Sequence, residues 1–216
     1  MIGTPTPTLA AGLTFVDHSH TYIVNGRVLP SVTQVLDDNQ LRMDTSAITF
    51  GVLERARQRG VAVHAATHYD DDGTLDERTL DPEVAPYVEA WRQFKRERGV
   101  TIRELERRYA HAVFGYGGTI DRVALAPGRR SPIVIDIKTG DQTGVAYQLA
   151  AYAELYRAVT GAPLVDRWSV RLWPDRQVPY SVTEFREARD WRRFRAALEM
   201  TYARLEMGRS WRRTAA

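Results

Sequence analysis

Six residues, Ile133 to Lys138 (IVIDIK), constrain this chain more than any others. Branched apolar residues at that density predict a β-strand, and successive side chains of a strand alternate between its two faces. Ile133, Ile135 and Ile137 therefore share one face, and Val134, Asp136 and Lys138 share the other. Two charges on an apolar strand need a partner or water, because burying them unpaired is costly.

The preceding segment offers a partner. A turn in APGRRSP centred between Gly128 and Arg129 sets Asp121 opposite Asp136, since the two lie equally far from that centre. Directly opposed residues have β-carbons about 4.5–5.5 Å apart. Two carboxylates that close repel each other unless a proton or a cation lies between them. Mg²⁺ binds carboxylate oxygens at about 2.0–2.1 Å and keeps waters for chemistry. A register slip of two residues preserves the shared face, and a slip of one destroys it. Beside such a cation, the Lys138 ammonium would orient water or stabilise charge developing on a phosphoryl group. A surface hairpin with weak Asp–Lys salt bridges is the other reading of the same residues. Lysine is rare here: 28 of the 30 basic residues are arginine, and only Lys95 and Lys138 are not. A compact ammonium fits beside a scissile phosphate where a broad guanidinium does not.

Around this hairpin the pattern predicts a mixed α/β chain. Leu13 to Val16, Thr21 to Val24 and Arg27 to Leu29, with Asn25-Gly26 as a turn, read as a small N-terminal β-meander. Ser31 is an N-cap for a helix over SVTQVL. Ala47 to Thr67 reads as helical with Gly51 and Gly60 as weak points, and the acidic tract DDDGTLDE as loop. Val84, Tyr87, Val88, Trp91 and Phe94 recur at helical spacing up to Gly99. Two strands follow within Thr101 to Ala126, then Pro132 to Lys138. A helix from Gly144 to Thr160, strands over Val165 to Trp173 and Gln177 to Val182, and a C-terminal helix complete the order. The expected organisation is one domain over 1–216. Residues 1–45 form the meander and first helix, 46–100 a helical segment, 101–183 the sheet core and 184–216 the last helix.

Net charge is only +3, but the charges are segregated. Asp70 to Glu83 carries seven acids and one base. Arg92 to Arg108 carries seven bases and three acids, and Glu184 to Arg213 nine arginines and five acids. Basic stripes suit a polyanion, and solvated helix faces look the same. The absence of cysteine excludes a disulfide scaffold, a thiolate zinc site and a cysteine nucleophile. No apolar run is long enough for a membrane helix, and the start, MIGTPTPTLAAGLTF, lacks a secretory pattern, so a cytoplasmic protein is expected.

The stretch GTIDRVALAPGRRSPIVIDIKTG, residues 118 to 140, resembles the PD-(D/E)xK nuclease superfamily, with Asp121 as first acid and Asp136-Ile137-Lys138 as its D-x-K. Three more matches are similar to its RecB-like exonuclease branch, which includes phage exonucleases. Arg59 to His64 (RGVAVH) looks like the R-G-x-x-x-H helix. Glu106 stands twelve positions before Gly118, and Gln148 and Tyr152 match Q-x-x-x-Y. The resemblance implies a restriction-endonuclease-like core, a mixed central β-sheet flanked by helices. It implies His64, Asp121, Asp136 and the Ile137 carbonyl as metal ligands, Lys138 as the residue activating water, and Glu106 as an assisting acid. Gln148 and Tyr152, one helical turn apart, would with Arg59, Thr139 and arginines of the basic helices contact DNA.

By their own chemistry the added residues are less decisive. Tyr152 also suits a core, Glu104 competes with Glu106 on the same strand face, and His64 and His68 have zinc-pair spacing without a glutamate between them in H-E-x-x-H form. HYDDDGTLDERT resembles an EF-hand loop, but the alignment ends on Thr79 where a bidentate Glu belongs, so an acidic surface loop is expected. GYGGT lacks the ending of a phosphate loop. The function expected is a Mg²⁺- or Mn²⁺-dependent DNA exonuclease of phage or bacterial recombination or repair, acting on single- or double-stranded ends. It would work in the bacterial or infected-host cytoplasm, as a homo-oligomer or with a separate recombination protein. An endonuclease or junction resolvase on the same core, or a DNA-binding protein that has lost hydrolysis, are the alternatives.

Overall fold

β6 (Ile133–Lys138) lies at the centre of a five-stranded sheet. The structure, a computed structural model, describes residues 12–208. The sheet order is β4 (Thr101–His111), β5 (Tyr116–Leu125), β6, β7 (Asp166–Leu172) and β8 (Tyr180–Phe185). Only the β6–β7 pair is parallel; the other three are antiparallel. A parallel pair needs a crossover, and α4 (Val145–Thr160) supplies it.

The alternation along β6 divides the protein into layers. Ile133, Ile135 and Ile137 are fully buried against α2 (Phe50–Asp72) and α3 (Ala85–Arg98), with Val63, Trp91 and Phe94 among their neighbours. Each such side chain contributes about 1.5–3 kcal/mol of burial. Val134 faces the other layer, built from α1 (Val32–Asp38), α4 and α5 (Ala188–Glu206) around Val35, Leu149 and Phe194.

The meander β1 (Leu13–Val16), β2 (Thr21–Val24) and β3 (Arg27–Leu29) forms as the sequence predicts, with positive φ at Asn25 and Gly26 in its turn. Ser31 caps α1 in a reciprocal capping box with Gln34. Tyr22 of β2 packs on β5: a β-carbon at Gly117 would clash with its ring, and its hydroxyl pairs with Thr119 at 2.6 Å. Gly118 is approached by Tyr152, whose ring would meet a β-carbon there at 2.8 Å. The glycines of GYGGT therefore serve packing.

Three expectations need correction. α2 runs unbroken through Gly51 and Gly60 and continues to Asp72, stopping at Gly73 in the left-handed conformation. Asp70 and Asp71 are thus helical and not loop, because both are neutralised: Lys95 reaches them at 2.9 and 2.5 Å, and Arg92 reaches Asp70 at 2.6 Å. Asp70, Asp71 and Glu77 of the acidic tract thus pair with Arg92 and Lys95 of the first basic stripe, while the stretch from Gly73 onward lies outside α2 and is mostly exposed, as expected. The last strand, finally, starts at Tyr180 where Gln177 was expected, because a turn around Pro174 occupies the intervening residues. The N-terminal segment 1–11 and Arg209, Arg212 and Arg213 of the second basic stripe lie outside the described residues.

Candidate active site

The β5–β6 ladder pairs Arg122 with Ile135, Val123 with Val134 and Ala124 with Ile133. The next step of that register sets Asp121 opposite Asp136, as the turn-centred reading predicts. The β4–β5 ladder pairs Leu105 with Arg122 and Arg107 with Ile120, which leaves Glu106 facing Asp121 between them. Glu106, Asp121 and Asp136 therefore form a row across three neighbouring strands, with each strand about 4.8 Å from the next.

Glu106 interrupts its ladder with φ of 44°, the left-handed region that L residues reach at a cost of roughly 1–2 kcal/mol. The inversion separates it from Glu104, which simple alternation would keep on the same face. Glu104 accepts hydrogen bonds from Tyr109 and Tyr156 at 2.5 and 3.1 Å, on the α4 side. Glu106 instead lies 3.7 Å from Nδ1 of His68 on α2 and borders a cavity of about 590 Å³. The backbone reversal thus puts Glu106 at the cavity and leaves Glu104 on the α4 side, a difference that a strand pattern does not reveal.

α2 brings His64 to the row. Its Nε2 lies 2.9 Å from the Ile137 carbonyl oxygen and its Nδ1 3.5 Å from Asp121 Oδ2. The same Asp121 oxygen accepts the Ile137 backbone N–H at 3.1 Å. Asp136 is 1% exposed. Lys138 donates to its Oδ1 at 3.0 Å; Nζ is also 2.8 Å from Oδ2, but without hydrogen-bond alignment, so that oxygen is left without a hydrogen bond. Burial first, then the charge of Asp121, pushes the Asp136 carboxyl above its ordinary range, against the pull of Lys138 and His64.

These residues fit a hard divalent cation. Oxygen donors predominate, and a buried carboxylate oxygen lacks a hydrogen bond. His64 Nε2 and the Ile137 carbonyl oxygen, 2.9 Å apart as a hydrogen bond, add a nitrogen and a main-chain oxygen to the donors at this point. Among the described residues no three His, Asp or Glu side chains close on a common point. Here the Asp136 carboxylate is drawn onto Lys138, and one donor of the set is a main-chain carbonyl.

Gln148 and Tyr152 do not form an exposed surface. They are 8% and 5% exposed, and Gln148 Nε2 donates to the Tyr152 hydroxyl at 3.1 Å while its Oε1 accepts from Lys138 at 3.4 Å. The pair thus buttresses the lysine. Thr139 lines the cavity together with Gly60, His64 and Lys138. Arg59 is half-buried with its Nε unpartnered, and the arginine on the cavity wall is Arg57.

Sequence reasoning missed the pair behind the site. Arg122, fully buried, donates to Asp71 at 2.6 Å, to the Asp121 carbonyl at 2.8 Å and to Thr67 at 3.3 Å. It joins the helix that carries His64 to the strand that carries Asp121. The available signal was helical spacing: His64, Thr67 and Asp71 lie at i, i+3 and i+7, on one face of α2.

Comparisons with known proteins agree with this architecture. A model of the PD-(D/E)XK nuclease superfamily matches residues 40–214. Among solved structures, the chain resembles a candidate exonuclease from Eubacterium rectale at 12% identity and a TM-score of 0.53, over 84% of this chain and 82% of that one. It also resembles an alkaline exonuclease from Laribacter hongkongensis at 18% identity and a TM-score of 0.40, over 82% and 88% of the two chains. At these identities the likeness is one of fold, and the first structure alone carries it. No curated protein matches the chain in sequence.

Proposed function

The chain belongs to the PD-(D/E)XK nuclease superfamily, and on that premise we propose that it is a metal-dependent deoxyribonuclease of the RecB-like branch that degrades DNA from an end. The observation that carries this reading is the row of Glu106, Asp121 and Asp136 across three strands, with Lys138 beside it and His64 above it. The motif series from Arg59 to Tyr152 and the description of the Eubacterium rectale protein support an exonuclease in particular. The setting we infer is recombination or repair of bacterial or phage DNA in the cytoplasm, with a second copy or a separate recombination protein as partner.

Asp121, Asp136, His64 and the Ile137 carbonyl would hold the ion, and Glu106 would add a ligand directly or through water. A bound Mg²⁺ or Mn²⁺ supplies Lewis-acid polarisation of a phosphoryl oxygen. Lys138, held between Asp136 and Gln148, presents its ammonium to a water or to the charge developing on the phosphoryl group. The Gln148–Tyr152 pair restrains that ammonium from behind. Arg57 and Thr139, on the cavity wall, contact the strand, and Arg59 approaches from the same helix turn.

Digestion of end-labelled linear DNA, single- and double-stranded, with Mg²⁺ or Mn²⁺ tests the proposal. Release of nucleotides from the ends, lost in Lys138→Met, is the expected result. Cleavage of covalently closed circles would favour the endonuclease reading, and no cleavage of either form would overturn hydrolysis altogether.

A further inference from the structure

One strand beyond Lys138 lies a second cationic group. β6 and β7 run parallel, and their register pairs Lys138 with Arg171, so the two side chains share the face on which Asp136 lies. Arg171 is followed by the turn Trp173–Arg176, closed by an Arg176 N–H to Trp173 carbonyl hydrogen bond of 3.0 Å with Pro174 at its second position. The Arg171 guanidinium carbon lies 4.1 Å from the centre of the Trp173 ring, and that of Arg176 3.6 Å. The indole thus holds two guanidinium groups in place.

Neither arginine has a carboxylate partner among the described residues, and Arg171 Nε is buried without a hydrogen bond. The other two arginines of this ribbon behave differently: Arg167 pairs with Asp190 at 3.1 Å and Arg186 with Glu184 at 2.6 Å. Two fixed, uncompensated guanidinium groups beside a phosphate-cleaving lysine have one natural ligand class. Planar forks of N–H donors match phosphate oxygens. We propose that Arg171 and Arg176, organised by Trp173, form a phosphate-binding subsite for the nucleic-acid backbone next to the bond that is cut. The subsite rests on the nucleic-acid substrate proposed above and extends it from the acid row to β7. With its indole engaged by guanidinium groups, it binds backbone and does not stack bases, so its contribution is independent of sequence.

The test is binding, kept separate from cleavage. Anisotropy of a labelled single strand is followed with the full chain and chelator present, between about 50 and 200 mM salt. For single strands the slope of log K against log salt changes by about 0.7 per phosphate contact. Arg171→Gln with Arg176→Gln is expected to flatten the slope by about 1.4, and Arg176→Gln alone, at an exposed position that tolerates change, by about 0.7. Arg103→Gln makes the same charge change at the far end of the opposite edge strand and is expected to leave the slope intact. An unchanged slope in the arginine variants, an equal flattening by Arg103→Gln, or no binding by the native protein would overturn the subsite. Native protein that binds with an arginine-dependent slope but fails to cleave with metal would overturn the nuclease reading and leave the subsite standing.

Discussion

Asp121 and Arg122 are neighbours on β5, yet each belongs to a buried ionic cluster of a different kind. Around Arg122 the charges close: Asp71 accepts from Arg122, Lys95 and Trp91, and Lys95 and Arg92 complete Asp70. Around Asp121 they do not. Asp136 pairs with Lys138 while the facing Asp121 meets only His64 and the Ile137 N–H, and one Asp136 oxygen lacks a hydrogen bond at a site 1% exposed. Burying an ion pair is at best near neutral for stability, so the first cluster is best understood as a strut that fixes α2 to β5. The second leaves negative charge in excess where a folding-only solution would have used apolar residues. That excess is the mark of the cluster proposed as catalytic.

The contrast breaks most visibly at the strut. Arg122→Met leaves Asp71 under-compensated in the interior, and a loss of about 3–5 kcal/mol is expected in chemical denaturation. Lys138→Met acts on the other cluster. Cleavage is expected to slow on the order of 10²–10³-fold, read as kcat on linear DNA, while the fold persists in circular dichroism.

Divalent metal should sharpen the contrast further. Mn²⁺ at about a hundredfold over its Kd is expected to stabilise the native protein by about 2.7 kcal/mol, and Asp121→Asn, which keeps an acceptor for the Ile137 N–H, to abolish the gain. Without metal the pH response runs the other way from that of an ordinary ion-paired acid. The Asp136 carboxyl is raised from 3.8 by burial, so its favourable contribution is complete below that value and is lost as pH rises through the elevated one. Asp136→Asn should flatten this decline in denaturation midpoints recorded across the acid range.

The functional cluster was the more legible of the two in the amino-acid sequence, for a physical reason. A strand has a period of two and a hairpin has a centre, so the facing of Asp121 and Asp136 follows from counting. The strut was hidden because buried carboxylates and solvated ones have the same letters. Asp70 to Asp72 read as a loop from sequence; all three are helical, and the side chains of Asp70 and Asp71 are buried against Lys95, Arg92 and Arg122, which arrive from other segments. Strand alternation does not separate Glu106 from Glu104 either, since the backbone reversal at Glu106 leaves no mark on composition, and only the family spacing singles out Glu106. Burial likewise removes the Gln148–Tyr152 pair from the exposed DNA-contacting surface that the resemblance implies, in line with the core reading of Tyr152 by its own chemistry.

That pair gives the smallest and most discriminating effect. Tyr152 accepts a hydrogen bond from Gln148, which accepts one from Lys138. Removing the hydroxyl in Tyr152→Phe withdraws one buried hydrogen bond, worth about 0.5–1.5 kcal/mol, and loosens the ammonium without touching its charge. A positioning role predicts a fall in kcat of up to about tenfold with KM unchanged. A strand-contact role predicts the opposite split, with KM raised and kcat kept. Gln148→Ala should reproduce the same kcat effect, and the double variant should add little to either single change, because both act through the one lysine. Full additivity, or a rise in KM alone, would return these two residues to the DNA surface.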